Sequence, residues 1–180
     1  DYSIEMNYRN GSYHIYGQNP AEYPKMKGLD GDYTDTTISS EILLNNINRT
    51  IFATAQEELR LVMNGLYFDL KEDYLAIVAS DGHILVRNRL YDCKSDFPAS
   101  FILPKKPATL LRSVLANEPS DVTIRFSESS AEVLFNDGIL SCRLIEGRYP
   151  NYNSVIPQDN PNRLTIDRKA FISALRRILP

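Results

Sequence analysis

Thr37-Ile-Ser-Ser-Glu-Ile-Leu-Leu-Asn-Asn-Ile-Asn-Arg49 returns in outline 128 positions later as Thr165-Ile-Asp-Arg-Lys-Ala-Phe-Ile-Ser-Ala-Leu-Arg-Arg177. In both stretches Thr-Ile leads into a short polar residue and then an amphipathic helical period. Independently, Glu22-Tyr-Pro24 is echoed by Arg148-Tyr-Pro150, 126 positions on. Two echoes at nearly one spacing point to tandem units of about 127 residues. The 180 residues would then hold the tail of one unit, a whole second unit and the start of a third.

Working outward, the N-terminal stretch alternates Tyr2, Ile4, Met6 and Tyr8 with Ser3, Glu5, Asn7 and Arg9. Asn10-Gly11 suits a type I′ turn, and Tyr13 and Ile15 resume the alternation. A hairpin alone is marginal in water, so this one reads as the edge of a larger sheet. Residues 17–36, rich in Pro, Gly and acids, read as a linker. From Ile38 to Ala55 the period is helical, with Leu43, Leu44, Ile47, Ile51 and Ala55 as the apolar stripe. Ser39 is the expected N-cap, with Glu41 in the first turn. Asn45, Asn48, Arg49 and Gln56 form the other side, polar but little charged. Strands are expected at 61–70, 74–79 and 84–90, the last two joined at Asp81-Gly82, and at Phe101-Ile-Leu103. A second helix is expected from Lys106 to Ala116, burying Leu110, Leu111, Val114 and Leu115. Strands follow at 121–126, 131–135 and 139–145, with Asn136-Asp137-Gly138 as a turn, then a Pro/Asn-rich connection and a last helix-bearing segment from Leu164.

Composition narrows the class. Apolar residues at 43% and charged residues at 24% fit a globular chain, not a disordered or fibrous one. No apolar run approaches the roughly 20 residues of a membrane helix, and the chain opens on no signal-peptide pattern. Cys93 and Cys142 form no C-x-x-C, so reduced thiols in a cytoplasmic protein are expected. Lys plus Arg at 20 against Asp plus Glu at 23 gives a net charge of −3, which excludes a polycation that coats nucleic acid. A local basic face stays open.

Ala79-Ser-Asp-Gly-His83 is the densest polar knot. As a metal site it fails, because the other histidine is His14 and no H-x-x-x-H or E-x-x-H spacing exists. As a Ser80/Asp81/His83 hydrolase it is weak, since consecutive strand residues alternate faces and no G-x-S-x-G elbow is present. A tight turn carrying a half-buried histidine is the plain reading. Lys105-Lys106 at the mouth of the second helix, and Arg60 before a strand, could meet phosphate or simply be solvated. No Gly-rich phosphate loop occurs.

The ordered series Leu61-Val-Met-Asn-Gly-Leu-Tyr-Phe68, Leu75-Ala-Ile-Val-Ala-Ser-Asp-Gly-His83, Phe101-Ile-Leu-Pro-Lys-Lys106 and Gly147-Arg-Tyr-Pro-Asn-Tyr152 resembles the bacterial sliding-clamp family, the beta subunit of DNA polymerase III. The resemblance implies an α+β DNA-clamp fold, two helices packed on antiparallel sheets in a repeated domain. It implies the last strands of a first domain at 1–27, a linker at 28–36, a complete middle domain at 37–157 and the start of a third at 158–180. It further implies a non-catalytic accessory subunit of a DNA-directed DNA polymerase, without cofactor or metal, that closes as a homodimeric ring around double-stranded DNA. Its partners would be the replicative polymerase subunit, the clamp loader and repair polymerases, each inserting a short peptide into a hydrophobic pocket. By motif the pocket positions are Met63, Ser80, Gly82, His83, Leu85, Pro150 and Val155, and part of its wall would lie beyond Pro180. The DNA contacts would be Arg60, Lys105, Lys106 and Arg49. The family often carries Arg where this sequence has Ile84 and Ser154, which makes the pocket rim more apolar. The alternative is a stand-alone peptide-binding adaptor that does not encircle DNA.

Overall fold

The computed structural model describes residues 2–25, 28–29, 31–56, 58–93, 95 and 97–179, apart from the side chain of Glu58. The described chain divides into two compact units, residues 1–148 and 149–180.

The first unit opens with a hairpin of β1 (Ser3–Tyr8) and β2 (Gly11–Tyr16). Tyr8 pairs with Gly11, so the two-residue loop is Arg9-Asn10 and not Asn10-Gly11. Neither loop residue has the positive φ that a type I′ turn needs. Glycine instead stands at the fourth turn position, where type I turns favour it. The same arrangement returns at β9 (Ser130–Phe135) and β10 (Gly138–Arg143), with Phe135 paired to Gly138. A Cβ on Gly11 would stand 3.0 Å from Tyr8 Oη, and one on Gly138 would stand 2.9 Å from Phe135 Cε2. An aromatic ring thus lies across the facing glycine in both hairpins. Tyr8 and Gly11 precede Phe135 and Gly138 by 127 positions, the spacing of the sequence echoes.

β3 (Thr34–Ser39) begins inside the stretch expected to be linker, and it also contains Ile38 and Ser39, expected to be helical. Thr34-Asp-Thr-Thr37 lacks apolar residues but is rich in β-branched threonine, which suits an edge strand. α1 (Ser40–Thr50) follows, then a 3-10 turn, Ile51–Ala53. Ser39 occupies the N-cap without making a side-chain cap bond; Ser40 instead donates its Oγ–H to the Glu118 backbone oxygen at 2.7 Å. The Glu118 carboxylate in turn accepts from the Asn136 and Ser120 amides, both at 3.0 Å. One residue thereby joins the start of the first helix to the β9–β10 turn.

Leu61–Met63, expected in a strand, belong to a 3-10 segment, Glu58–Met63, kinked at Arg60. β4 (Gly65–Leu70), β5 (Leu75–Ser80), β6 (Leu85–Leu90) and β7 (Ala99–Pro104) come next, then α2 (Lys105–Leu115) and β8 (Asp121–Phe126). Two four-stranded antiparallel sheets result, ordered β10-β9-β8-β3 and β6-β5-β4-β7. β5 is buried along its whole length, which accounts for its unbroken Leu75-Ala-Ile-Val-Ala79 run. Leu43 and Ile47 of α1 and Ala108, Leu111 and Leu115 of α2 join both sheets in one core. Leu110, expected in that core, is exposed. Leu111 takes the inward position, and Leu110, about 100° further round the helix, falls on the exposed side.

The second unit contains α3 (Arg168–Ile178), where Asp167 caps the helix by accepting the Ala170 amide at 2.8 Å. Among the described residues no helix is long and apolar enough to cross a membrane.

Candidate functional site

The Asp81 turn organises the first group of residues. Antiparallel pairing sets Ser80 opposite Leu85, leaving Asp81 to Ile84 as the loop. Asp81 Oδ1 accepts the backbone N–H groups of His83 and Ile84, each at 2.8 Å. Buried Ser80 donates to the Ile84 carbonyl at 2.7 Å and accepts the Gly82 amide at 3.1 Å. Gly82 completes the turn at a φ of +93°, a backbone that side chains disfavour. The outcome is a hydrogen-bonded loop in which His83, expected half-buried, is exposed and Leu85 is half-buried.

The Ile84 and His83 amides hold the Asp81 carboxyl below its usual pKa. Because the folded-state value is the lower one, this support is complete above the unfolded pKa of about 3.9 and fades as acid titrates the group. Below about pH 5 the His83 and Ile84 amide resonances should therefore move together, with a midpoint below that of an ordinary aspartate. A midpoint at or above the ordinary value would show that these bonds do not form in solution.

Arg60, expected at phosphate, lies beside this turn: a Cβ on Gly82 would stand 2.5 Å from its Nη1. The kink at Arg60 (φ −130°, ψ 57°) interrupts the helical path at this residue. Its sequence neighbours Leu59 and Leu61 are exposed, as is Ile84 within the turn. The register of β4 on β5, Tyr67 opposite Val78, carries the start of β4 toward the Ser80 end, two residues after half-buried Met63. Pro150 and Val155 are exposed residues of the second unit.

The helices form a separate, polar surface. Asn45, Asn48 and Arg49 of α1 are exposed, with Arg49 in the last turn. Lys105 and Lys106 occupy the first turn of α2, and no acidic residue shares it. Helix dipoles favour anions there, and cations oppose the dipole by roughly 0.3–1 kcal/mol each. α1 follows the usual rule, with Glu41 in its first turn and Arg49 in its last. α2 breaks it at a surface that would suit an anionic ligand. Cys93 and Cys142 are free and partly buried, and burial pushes the Cys142 thiol up to about 11.

The family model for the DNA polymerase III beta subunit, central domain, matches residues 37–151. The chain belongs to that family. It is 28% identical over 176 residues to the beta sliding clamp of Halalkalibacterium halodurans, covering 95% of this chain and 46% of that one. The crystal structure of the DNA polymerase sliding clamp from Bacillus subtilis superposes with a TM-score of 0.88 at 25% identity, over 98% of this chain and 46% of that one. A sliding clamp from Bartonella birtlesii, solved bound to griselimycin, gives a TM-score of 0.82 at 26% identity, over 97% and 48% of the two chains. The chain spans about half the length of the curated relatives it matches.

One further exposed cation of α2 is held by α1. Arg112 of α2 donates its Nε–H to Asn48 Oδ1 of α1 at 2.6 Å. Its signal was present in the sequence, because Arg112 follows Lys105 by two helical turns in a segment without acids. Its partner, 64 positions earlier, was not legible.

Proposed function

We propose that the chain is the central part of a three-domain DNA sliding clamp, with domains bounded at 1–27, 37–157 and 158–180 around a linker at 28–36. Two copies of the whole protein close a ring around duplex DNA, and the α1–α2 face looks into the hole. The clamp itself carries no catalytic step; it tethers the replicative polymerase, clamp loader and repair polymerases in the cytoplasm. They dock by short peptides on Met63, Ser80, Gly82, His83, Leu85, Pro150 and Val155. Arg60, beside Gly82, serves this docking site more directly than it serves DNA.

The observation that carries the reading is the charge of the helix pair. In a chain of net charge −3, Arg49, Lys105 and Lys106 stand on these helices with no carboxylate paired to them among the described residues. Three phosphate contacts give a slope of log affinity on log salt of about −2.7. Binding this weak and blind to sequence lets a ring slide. The full-length protein should stay on circular duplex DNA and leave when the circle is cut. Equal retention on circular and linear forms would instead favour the peptide-binding adaptor.

A further inference from the structure

We propose that Arg112 is a fourth phosphate contact on the α1–α2 face and that Asn48 is the residue that positions it. This rests on the duplex-binding reading above. A guanidinium carries five N–H donors in a planar fork. One of them, on Nε, is taken by Asn48 Oδ1 at 2.6 Å, and no carboxylate is paired with Arg112 among the described residues. The two Nη groups keep their four N–H donors for a ligand, and the Nε bond restrains the plane in which they lie.

The identity of the acceptor matters more than its presence. A carboxylate at position 48 would restrain the guanidinium equally well but would cancel its charge. The Asn48 amide oxygen is neutral, so it orients the cation and leaves the full positive charge at the surface. The hydrogen bond also spans two helices, so the cation is fixed to the helix pair and does not swing from α2 alone. Lys105 and Arg112, seven residues apart, are separated by about 10.5 Å along the helix axis. That matches roughly three base-pair rises of a duplex. Phosphodiester oxygens in a row are the chemistry that fits a restrained fork and a lysine at this interval.

The test measures binding of a fluorescent blunt duplex to the 180-residue chain across a salt series, after each variant is shown to unfold cooperatively. With Arg112 counted, the parent slope should be about −3.6, and Arg112→Gln should bring it to about −2.7. Asn48→Asp retains an acceptor for Nε and neutralises the charge, so it should lower the slope by the same amount without loss of thermal stability. Asn48→Ala should keep the slope and weaken binding about threefold by releasing the fork. A merely structural hydrogen bond would move the unfolding temperature and leave all the slopes equal. The inference is overturned if Arg112→Gln keeps the parent slope, or if Asn48→Asp binds as tightly as the parent. If the parent itself shows no salt-dependent binding, the α1–α2 face makes no phosphate contacts and the inference fails, whereas the ring is judged separately by retention on circular DNA. Asn48→Asp decides the matter even if removal of the guanidinium unfolds the chain.

Discussion

Replacement of Phe101 by alanine should lower the unfolding free energy by about 3–5 kcal/mol, the range for large aromatic truncations in cores. Phe101 of β7 is buried, and its ring stacks on Phe68 of β4 with centroids 4.7 Å apart and planes 10° apart. On its other side it meets Phe126 of β8 at 4.4 Å, tilted by 37°. β4 and β7 belong to one sheet and β8 to the other, so this ring fastens the two layers together. Truncation would remove two aromatic pairs, each worth about 0.5–1.5 kcal/mol beyond buried area, and leave a cavity between layers that cannot both collapse into it. Against a total stability of about 5–15 kcal/mol, that loss is a large fraction. Urea denaturation with Phe52→Ala as control provides the measurement. Phe52 is 64% exposed and should change stability by less than about 0.5 kcal/mol. A Phe101→Ala loss no larger than the control's would mean that the sheets are not joined through this ring.

Leu85→Glu should weaken binding of a partner peptide ending in leucine or phenylalanine by at least tenfold, about 1.4 kcal/mol. Leu85 starts β6 directly opposite Ser80, half-buried beside the Asp81 turn. An apolar anchor docking there loses its contact, and the new carboxylate must be desolvated without a partner, a cost that adds to the lost area. His83→Glu, on the exposed crest of the same turn, should have the same direction and a smaller size. The comparison is a titration of the full-length protein with labelled peptide. Unchanged dissociation constants for both variants would remove Ser80, Gly82, His83 and Leu85 from the docking site.

The fold was legible where apolar residues mark a period. β5 and β6 fall within a residue of their expected places because Leu75–Ala79 and the Asp81-Gly82 turn bracket them without ambiguity. β3 was missed because an edge strand of threonines has only Ile38 to bury, and periodicity reads polar residues as loop. The Asn10-Gly11 turn was found but shifted by one: the register leaves Arg9-Asn10 as the loop, with glycine at the fourth position that type I turns favour. The site divides similarly. The Asp81 turn is local and could be read from consecutive residues. The positions of Arg60 and Arg112 depend on contacts with Gly82 and Asn48, which adjoin them only in the folded chain.

The reversed charge at the start of α2 bears on any attempt to make this chain more robust. A screen that rewarded only heat resistance would find positions 105 and 106 early, because an acid at either would align with the helix dipole where lysine now opposes it. Each gain would come from erasing a cation of the surface assigned to DNA. Selection on thermal survival and selection on tethering would therefore pull the same two codons in opposite directions, and a hardened version of this domain should be judged by its hold on DNA before its melting point.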